Sequence, residues 1–145
     1  MRTVRGMGFR VGLHTGGGYP SRLAEVLPLI DWVGFDIKAP FADYARITTV
    51  RGSGDRALAS AKLVLGSDVA CEFRTTVHPH QNDPRALLRL AEHLARLGVR
   101  NYVLQEFRAQ GCANAALLCD LPVSFLTESW YAKVAPKFES FSVRR

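Results

Sequence analysis

Short apolar runs alternate with amphipathic segments along most of the chain. The nearly continuous apolar run at residues 32–37 is typical of a strand buried on both faces of a parallel sheet. Similar runs predict strands at residues 9–14, 69–77 and 102–107. The first of these strands leads into a run of three glycines, Gly16 to Gly18, which indicates a turn or loop.

Helical spacing of apolar residues separates these strands. Pro20 begins one amphipathic segment, Asp55 is placed to cap a second, and residues 84–97 form a third that Gly98 closes. Beyond these, the pattern predicts a short strand at 123–126, a helix at 128–134 and a last strand at 138–143. Alternation of strand and helix with short links requires right-handed crossovers, so we predict one α/β domain over residues 1–145 with a mostly parallel sheet.

Composition is that of a globular protein. Of the 145 residues, 48% are hydrophobic and 22% are charged, and no run approaches the roughly 20 apolar residues of a membrane span. The basic start of the chain has no apolar segment after it that would make a secretory signal. We therefore expect a cytoplasmic protein without a membrane partner.

The net charge of +6 raises the question of a nucleic-acid partner. The arginines are spread along the whole chain and no basic stripe is interleaved with aromatic residues, which disfavours such a partner. The three cysteines, Cys71, Cys112 and Cys119, have no zinc or iron–sulfur spacing, so we interpret them as reduced structural residues.

Candidate chemistry lies where the predicted strands end, because ligands of parallel α/β proteins bind beyond the carboxyl ends of the strands. Polar groups stand at four such ends, in the segments 14–18, 36–38, 74–78 and 105–108. Each has a structural alternative. In these alternatives the glycines form only a turn, and Asp36 forms an ion pair with Lys38. Arg74 pairs with Glu72 or Glu106, and His78 and His80 belong to a solvated loop.

Four of these segments resemble motifs of one family, the activating proteins of anaerobic ribonucleoside-triphosphate reductase. They are GLHTGGGYP at 12–20, DWVGFDIKAP at 31–40, EFRTTVHP at 72–79 and YVLQEFR at 102–108. The motifs occur in the family's order, with predicted helices between them.

The resemblance implies a radical S-adenosylmethionine enzyme with a partial (β/α)6 barrel. In that family a four-iron–four-sulfur (4Fe-4S) cluster cleaves S-adenosylmethionine, and the 5′-deoxyadenosyl radical takes a hydrogen atom from a glycine of the partner reductase or a similar glycyl radical enzyme. By position, Asp36, Lys38, Arg74 and Gln105 would face S-adenosylmethionine. Lys38 and Arg74 suit its carboxylate and Asp36 its ammonium group or a neighbouring cation, while Thr15 would lie near its ribose or methionine part.

The sequence departs from the family in lacking a CxxxCxxC motif and a Gly-Gly-Glu-Pro-like segment, and in having Gly16 where the family often has Asn. We therefore expect the chain to be the C-terminal part of a truncated radical S-adenosylmethionine barrel, inactive alone. The alternatives are a non-catalytic remnant that binds a nucleotide-like ligand or a partner protein, and a basic nucleic-acid-binding domain.

Overall fold

The computed structural model describes residues 1–79, 81–113, 117–118 and 126–144. Its sheet has five parallel strands in the order of the sequence: β1 (Gly12–Thr15), β2 (Trp32–Asp36), β3 (Ala70–Val77), β4 (Asn101–Glu106) and β5 (Ser140–Arg144). The predicted α/β class with a parallel sheet is therefore confirmed.

Six α-helices lie in the described residues: α1 (Arg2–Gly6), α2 (Pro20–Val26), α3 (Tyr44–Thr48), α4 (Ser53–Leu65), α5 (Pro84–Arg96) and α6 (Glu128–Val134). The strand order never reverses, so right-handed crossovers carry the connecting helices to the same face of the sheet. No described helix has the length and apolar character needed to cross a membrane.

The hydrophobic core lies between this helical layer and one face of the sheet. Phe35 and Phe73 stack at its centre with ring centroids 5.1 Å apart, and both are fully buried. On this side of the sheet the buried Tyr102 hydroxyl donates a hydrogen bond to Thr75 Oγ1 at 3.0 Å. Burial of these large side chains supplies most of the stabilisation of the domain.

The opposite face of the sheet, which we call the open face, has no described helix packed on it. Alternation along the strands places there His14, Trp32, Gly34, Asp36, Glu72, Arg74, Thr76, Val103, Gln105, Ser142 and Arg144. The prediction that β2 is buried on both faces is wrong at its ends, since Trp32 and Asp36 are only half-buried. Two pairs of opposite charge form on this face, Asp36 with Arg74 and Glu72 with Arg144.

Helix α5 follows its sequence signals closely. The carboxylate of Asp83 accepts the backbone N–H groups of Arg85 and Ala86 at 3.2 Å each, and Pro84 occupies the first helical position. The helix ends at Arg96, one residue before the predicted end, and Gly98 follows with a φ of 92°. Asp55, in contrast, lies within the first turn of α4, which begins at Ser53.

Three sequence predictions differ from the structure in their bounds. Strand β1 begins at Gly12 rather than at residue 9, because pairing with β2 starts only where Val11 bonds to Asp31. Residues 44–48, in part predicted as loop, form α3, and the last strand is shifted to Ser140–Arg144. The predicted strand at 123–126 lies outside the described residues except for Leu126, which is buried.

We predict that Gly54→Ala lowers the free energy of unfolding by about 2 kcal/mol. Gly54 lies in the first turn of α4, where an added Cβ would collide with the backbone carbonyl of Phe41 and stand 3.2 Å from Tyr44 Cβ. Urea unfolding measures the loss. The matched control is Gly18→Ala, since no heavy atom lies within 4 Å of a Cβ there. Equal stability of the two variants would contradict the close approach of Gly54 to Phe41 and Tyr44.

Candidate functional site

Asp36 and Arg74 form the centre of the polar cluster on the open face. They are register partners on β2 and β3, and the guanidinium donates twice to Asp36 Oδ1, from Nε at 2.9 Å and from Nη2 at 2.8 Å. Arg74 is 8% exposed, whereas the Asp36 side chain keeps 30% exposure. The pair differs from the sequence alternatives, in which Asp36 pairs with Lys38 and Arg74 with Glu72 or Glu106.

Lys38 follows Asp36 at the carboxyl end of β2. Its side chain is exposed and makes no ion pair within the described part of the chain. Its backbone N–H donates to the hydroxyl of Tyr44 at 3.0 Å, which fixes the turn after the strand. Burial raises the pKa of Tyr44 from 10.0 to about 12, with a smaller contribution in the same direction from the charge of Asp36. The phenol is therefore a neutral anchor for the backbone that carries Lys38.

Gln105 is half-buried on the same face, on the far side of β3. It is the register partner of both Thr76 and Arg144, and with them it lines a cavity of about 440 Å³ that also touches Arg108. Arg144 reaches from β5 across β4 to Glu72, where two nitrogen–oxygen contacts of 2.9 and 2.7 Å form a bidentate pair. Gln105 thus belongs to the open face without touching the Asp36–Arg74 pair through any hydrogen bond between described residues.

Thr15 is placed differently from the other four predicted site residues. Alternation along β1 turns it away from His14 and the open face, and its Oγ1 accepts the backbone N–H of Gly17 at 3.1 Å. Gly17 has a φ of 71°, and its carbonyl accepts the hydroxyl of the buried Ser60 at 2.8 Å. This arrangement agrees with the interpretation of the glycine run as a turn, here packed on α4.

His78 lies at the end of β3 and is 2% exposed, so the prediction of a solvated loop is wrong for it. Its Nε2 lies 3.1 Å from the carbonyl oxygen of Leu117, and its ring meets Phe107 edge-on with centroids 4.7 Å apart. Apolar packing of the ring explains the difference. His80, the other histidine of that prediction, is outside the described residues.

Two features of the open face were not among the predicted site residues. His14 and Trp32 meet edge-on over Gly34, with ring centroids 5.2 Å apart, and a Cβ on Gly34 would come within 2.7 Å of both rings. The second feature is Arg144, whose role depends on the pairing of β5 with β4. The alternation of residues in the predicted strands 9–14 and 32–37 could have put His14 and Trp32 on one face of the sheet. No local sequence signal identifies Arg144.

The described residues do not fit an iron–sulfur cluster. They contain no group of three His, Cys, Asp or Glu side chains that could hold a metal ion. Cys71 is the second residue of β3, at the opposite end of the sheet from Asp36. Burial raises the pKa of its thiol, whereas a cluster ligand must be a thiolate. Cys112 follows β4, and Cys119 lies outside the described residues.

These features define an α/β protein with a polar face at the carboxyl ends of parallel strands, the usual place of a ligand site in this class. Comparison of the chain with protein-family models and with curated proteins gave no match.

We predict that Asp36→Ala lowers the free energy of unfolding by about 2 kcal/mol, because it leaves the buried Arg74 guanidinium without its counter-charge. Arg22→Ala is the control, since it breaks the exposed Arg22–Glu25 pair and should cost under about 0.5 kcal/mol. Chemical denaturation of both variants tests this. An Asp36→Ala variant as stable as the control would mean that the pair contributes nothing measurable.

The raised pKa of Tyr44 predicts a pH dependence of stability. The unfolded phenol ionises near 10.0 and the folded one near 12, so the contribution of Tyr44 to folding stability is constant below about pH 10 and falls as the pH rises toward 12. Tyr44→Phe should remove part of this fall while costing about 1 kcal/mol at pH 9 for the lost hydrogen bond.

Thermal or urea unfolding between pH 9 and 12 measures both effects of this substitution. Tyr102, whose pKa burial also raises, contributes equally to both proteins and cancels in the comparison. Tyr19→Phe is the control, because the Tyr19 side chain is 76% exposed and should leave the pH profile unchanged. A Tyr44→Phe profile parallel to that of the wild type would contradict the assignment.

Proposed function

We propose that this chain provides the S-adenosylmethionine-binding face of a radical S-adenosylmethionine activating protein that resembles those of anaerobic ribonucleoside-triphosphate reductase. The observation that carries the proposal is the position of Asp36, Lys38 and Arg74. Asp36 and Lys38 lie at the carboxyl end of β2, and Arg74 is the register partner of Asp36 on the adjacent β3, in direct contact with it on the open face. The four sequence motifs add support through their order and spacing.

The sheet topology is compatible with the partial barrel that the proposal requires. Five parallel strands in sequential order, with helices on one side, are the building plan of a (β/α) barrel, in which the other side of the sheet faces the interior. In the proposal the open face is that interior, and the polar ends of β2, β3 and β4 line its upper rim. The curvature of the sheet and the number of units in the complete barrel are part of the proposal.

The charges of the site suit the zwitterionic end of S-adenosylmethionine. We assign the ligand carboxylate to Lys38, whose exposed ammonium group is not engaged in an ion pair with another described residue. We assign the ligand ammonium group to Asp36, since both arginine contacts go to Oδ1 and leave Oδ2 for a second cation. Arg74, nearly buried and already bonded twice, then orients Asp36 instead of binding the carboxylate itself.

The proposal also assigns roles to the other two predicted site residues, Gln105 and Thr15. Gln105 offers an amide to the polar atoms of the ribose or adenine from the neighbouring strand. Thr15 holds the turn at Gly17, which sets the end of β1 beside the site.

Radical cleavage of S-adenosylmethionine requires the four-iron–four-sulfur cluster, which the described residues do not fit. We therefore assign no reaction step to this chain and propose that it binds S-adenosylmethionine without cleaving it. Activation of a glycyl radical partner would need the cluster from a segment other than the described one. The alternative, a remnant that binds a nucleotide-like ligand, uses the same site but predicts no preference for the methionine end of the molecule.

Binding by isothermal titration calorimetry tests the proposal. We expect saturable binding of S-adenosylmethionine and an affinity about tenfold lower in Lys38→Gln, which removes one charge-assisted hydrogen bond to the ligand carboxylate. Lys62→Gln is the matched control, because Lys62 is an exposed lysine of α4 in the helical layer.

The absence of saturable binding would contradict the proposal, and so would an equal loss in the Lys62→Gln control. Titration with adenosine distinguishes the proposal from the alternative of a remnant that binds a nucleotide-like ligand. Binding of adenosine as tight as that of S-adenosylmethionine, with no effect of Lys38→Gln on either, would support a nucleotide-like ligand held away from Lys38.

A further inference from the structure

We propose that the outer face of helix α5 binds an acidic segment of a partner protein. We call Arg85, Arg89, Arg96 and the neighbouring Lys137, which are all exposed, the α5 basic surface. It contains none of the residues proposed to bind S-adenosylmethionine, and the inference does not depend on the proposed function.

The sequence of α5 places its arginines on one stripe of the helix. Residues 85, 89, 92 and 96 follow one another at intervals of four, three and four, which is the spacing of a single helix face. At 1.5 Å per residue this stripe is about 16 Å long. The opposite face of the helix is buried in the core and consists of Leu87, Leu90, Ala91 and Leu94. The three guanidinium groups therefore point to solvent together.

The positive charge of the stripe is not neutralised by the described part of the chain. Arg85, Arg89 and Arg96 form no ion pair there. Glu92 is the only acidic residue of α5, and it pairs with Lys137 at 3.9 Å. Arg85 and Arg89 are four residues apart and repel each other, and Arg85 lies in the first turn, where the helix dipole disfavours a cation. An acidic partner would relieve both unfavourable interactions.

An open cavity lies at the C-terminal end of the stripe. Its volume is about 510 Å³, and it is lined by Glu92, Ala95, Arg96 and Lys137. A carboxylate that enters this cavity meets two cations and one anion. The surface thus offers a concave place for one acidic side chain, next to the charges of Arg85 and Arg89.

The α5 basic surface has described neighbours on both sides. On one side, the indole N–H of Trp130 in α6 donates to the carbonyl of Pro84 at 2.9 Å. On the other side, His93 meets the ring of Phe41 edge-on, with ring centroids 5.2 Å apart. The surface therefore lies on the outside of the helical layer. It is also on the outside of the proposed barrel, where further strands of the sheet would not cover it.

The pattern of charges favours an acidic protein over a nucleic acid. Glu92 lies between Arg89 and Arg96, so a continuous phosphate backbone along the stripe would bring negative charge against it. A protein segment can place carboxylates at the arginines and a neutral residue at Glu92. None of the exposed large hydrophobic side chains of the described residues lies in α5 or α6, so the surface has no aromatic platform on which single-stranded bases would stack.

Fluorescence anisotropy with labelled synthetic peptides tests the inference on the full 145-residue chain. The probe is an alanine-rich helical peptide with three glutamates spaced like the three arginines, and the comparison peptide has glutamine in their place. We expect saturable binding of the glutamate peptide at low ionic strength, weakened by added salt, and no binding of the glutamine peptide. A duplex DNA of mixed sequence is the third probe.

Two triple variants locate the binding surface. The first combines Arg85→Glu, Arg89→Glu and Arg96→Glu. It should weaken binding of the glutamate peptide at least about tenfold, because three attractions become repulsions. The matched control reverses three other exposed charges and changes the net charge equally, through Arg51→Glu, Arg56→Glu and Lys62→Glu. This control should retain most of the binding, and urea midpoints of both variants confirm that they fold.

Several results would overturn the inference. Absence of saturable binding of the glutamate peptide is one, and equal binding of the glutamine peptide is another. Equal losses in the two triple variants would mean that net charge, and not the α5 basic surface, attracts the peptide. Tighter binding of the duplex DNA than of the glutamate peptide, lost only in the first triple variant, would assign the surface to a nucleic acid.

Discussion

The sequential order of the parallel strands is the constraint on which the other features depend. By the rule that crossovers between parallel strands are right-handed, consecutive strands in this order bring their helices to one face, and the apolar side chains of the sheet point to that face. No helix of the described ranges covers the opposite face, and its large polar side chains pair with each other. The Asp36–Arg74 pair and the Glu72–Arg144 pair are the result.

The sequence predicts the parts of this fold that depend on local patterns. Helix α5 was predictable almost to the residue because Asp83, Pro84 and Gly98 mark its ends chemically. The start of β1 was not, since it depends on where Val11 meets Asp31 across the sheet. The prediction of a β2 buried on both faces failed for a related reason: an apolar run does not reveal whether a second layer exists to cover it.

Much the same division applies to the candidate site. The polar residues at strand ends, Asp36 and Arg74 among them, follow from the rule that parallel α/β proteins bind ligands there. The pairing of Asp36 with Arg74 could not be predicted in this way. The two residues are 38 positions apart in the sequence, and the register that brings them together is set by the whole sheet. Thr15 was predicted as a site residue because it ends β1. Side chains alternate along a strand, so Thr15 points away from the open face, and its hydroxyl oxygen accepts the backbone N–H of Gly17.

The central claim is that S-adenosylmethionine binds at the carboxyl ends of β2 and β3, and backbone amide NMR spectra recorded during a titration with that molecule test it most directly. The account predicts that the largest shift changes occur at Lys38, Arg74 and their immediate neighbours, with the N-terminal ends of the strands unchanged. A spectrum that stays constant at high ligand concentration would contradict the account. So would changes centred on Cys71 and Arg100, at the opposite end of the sheet.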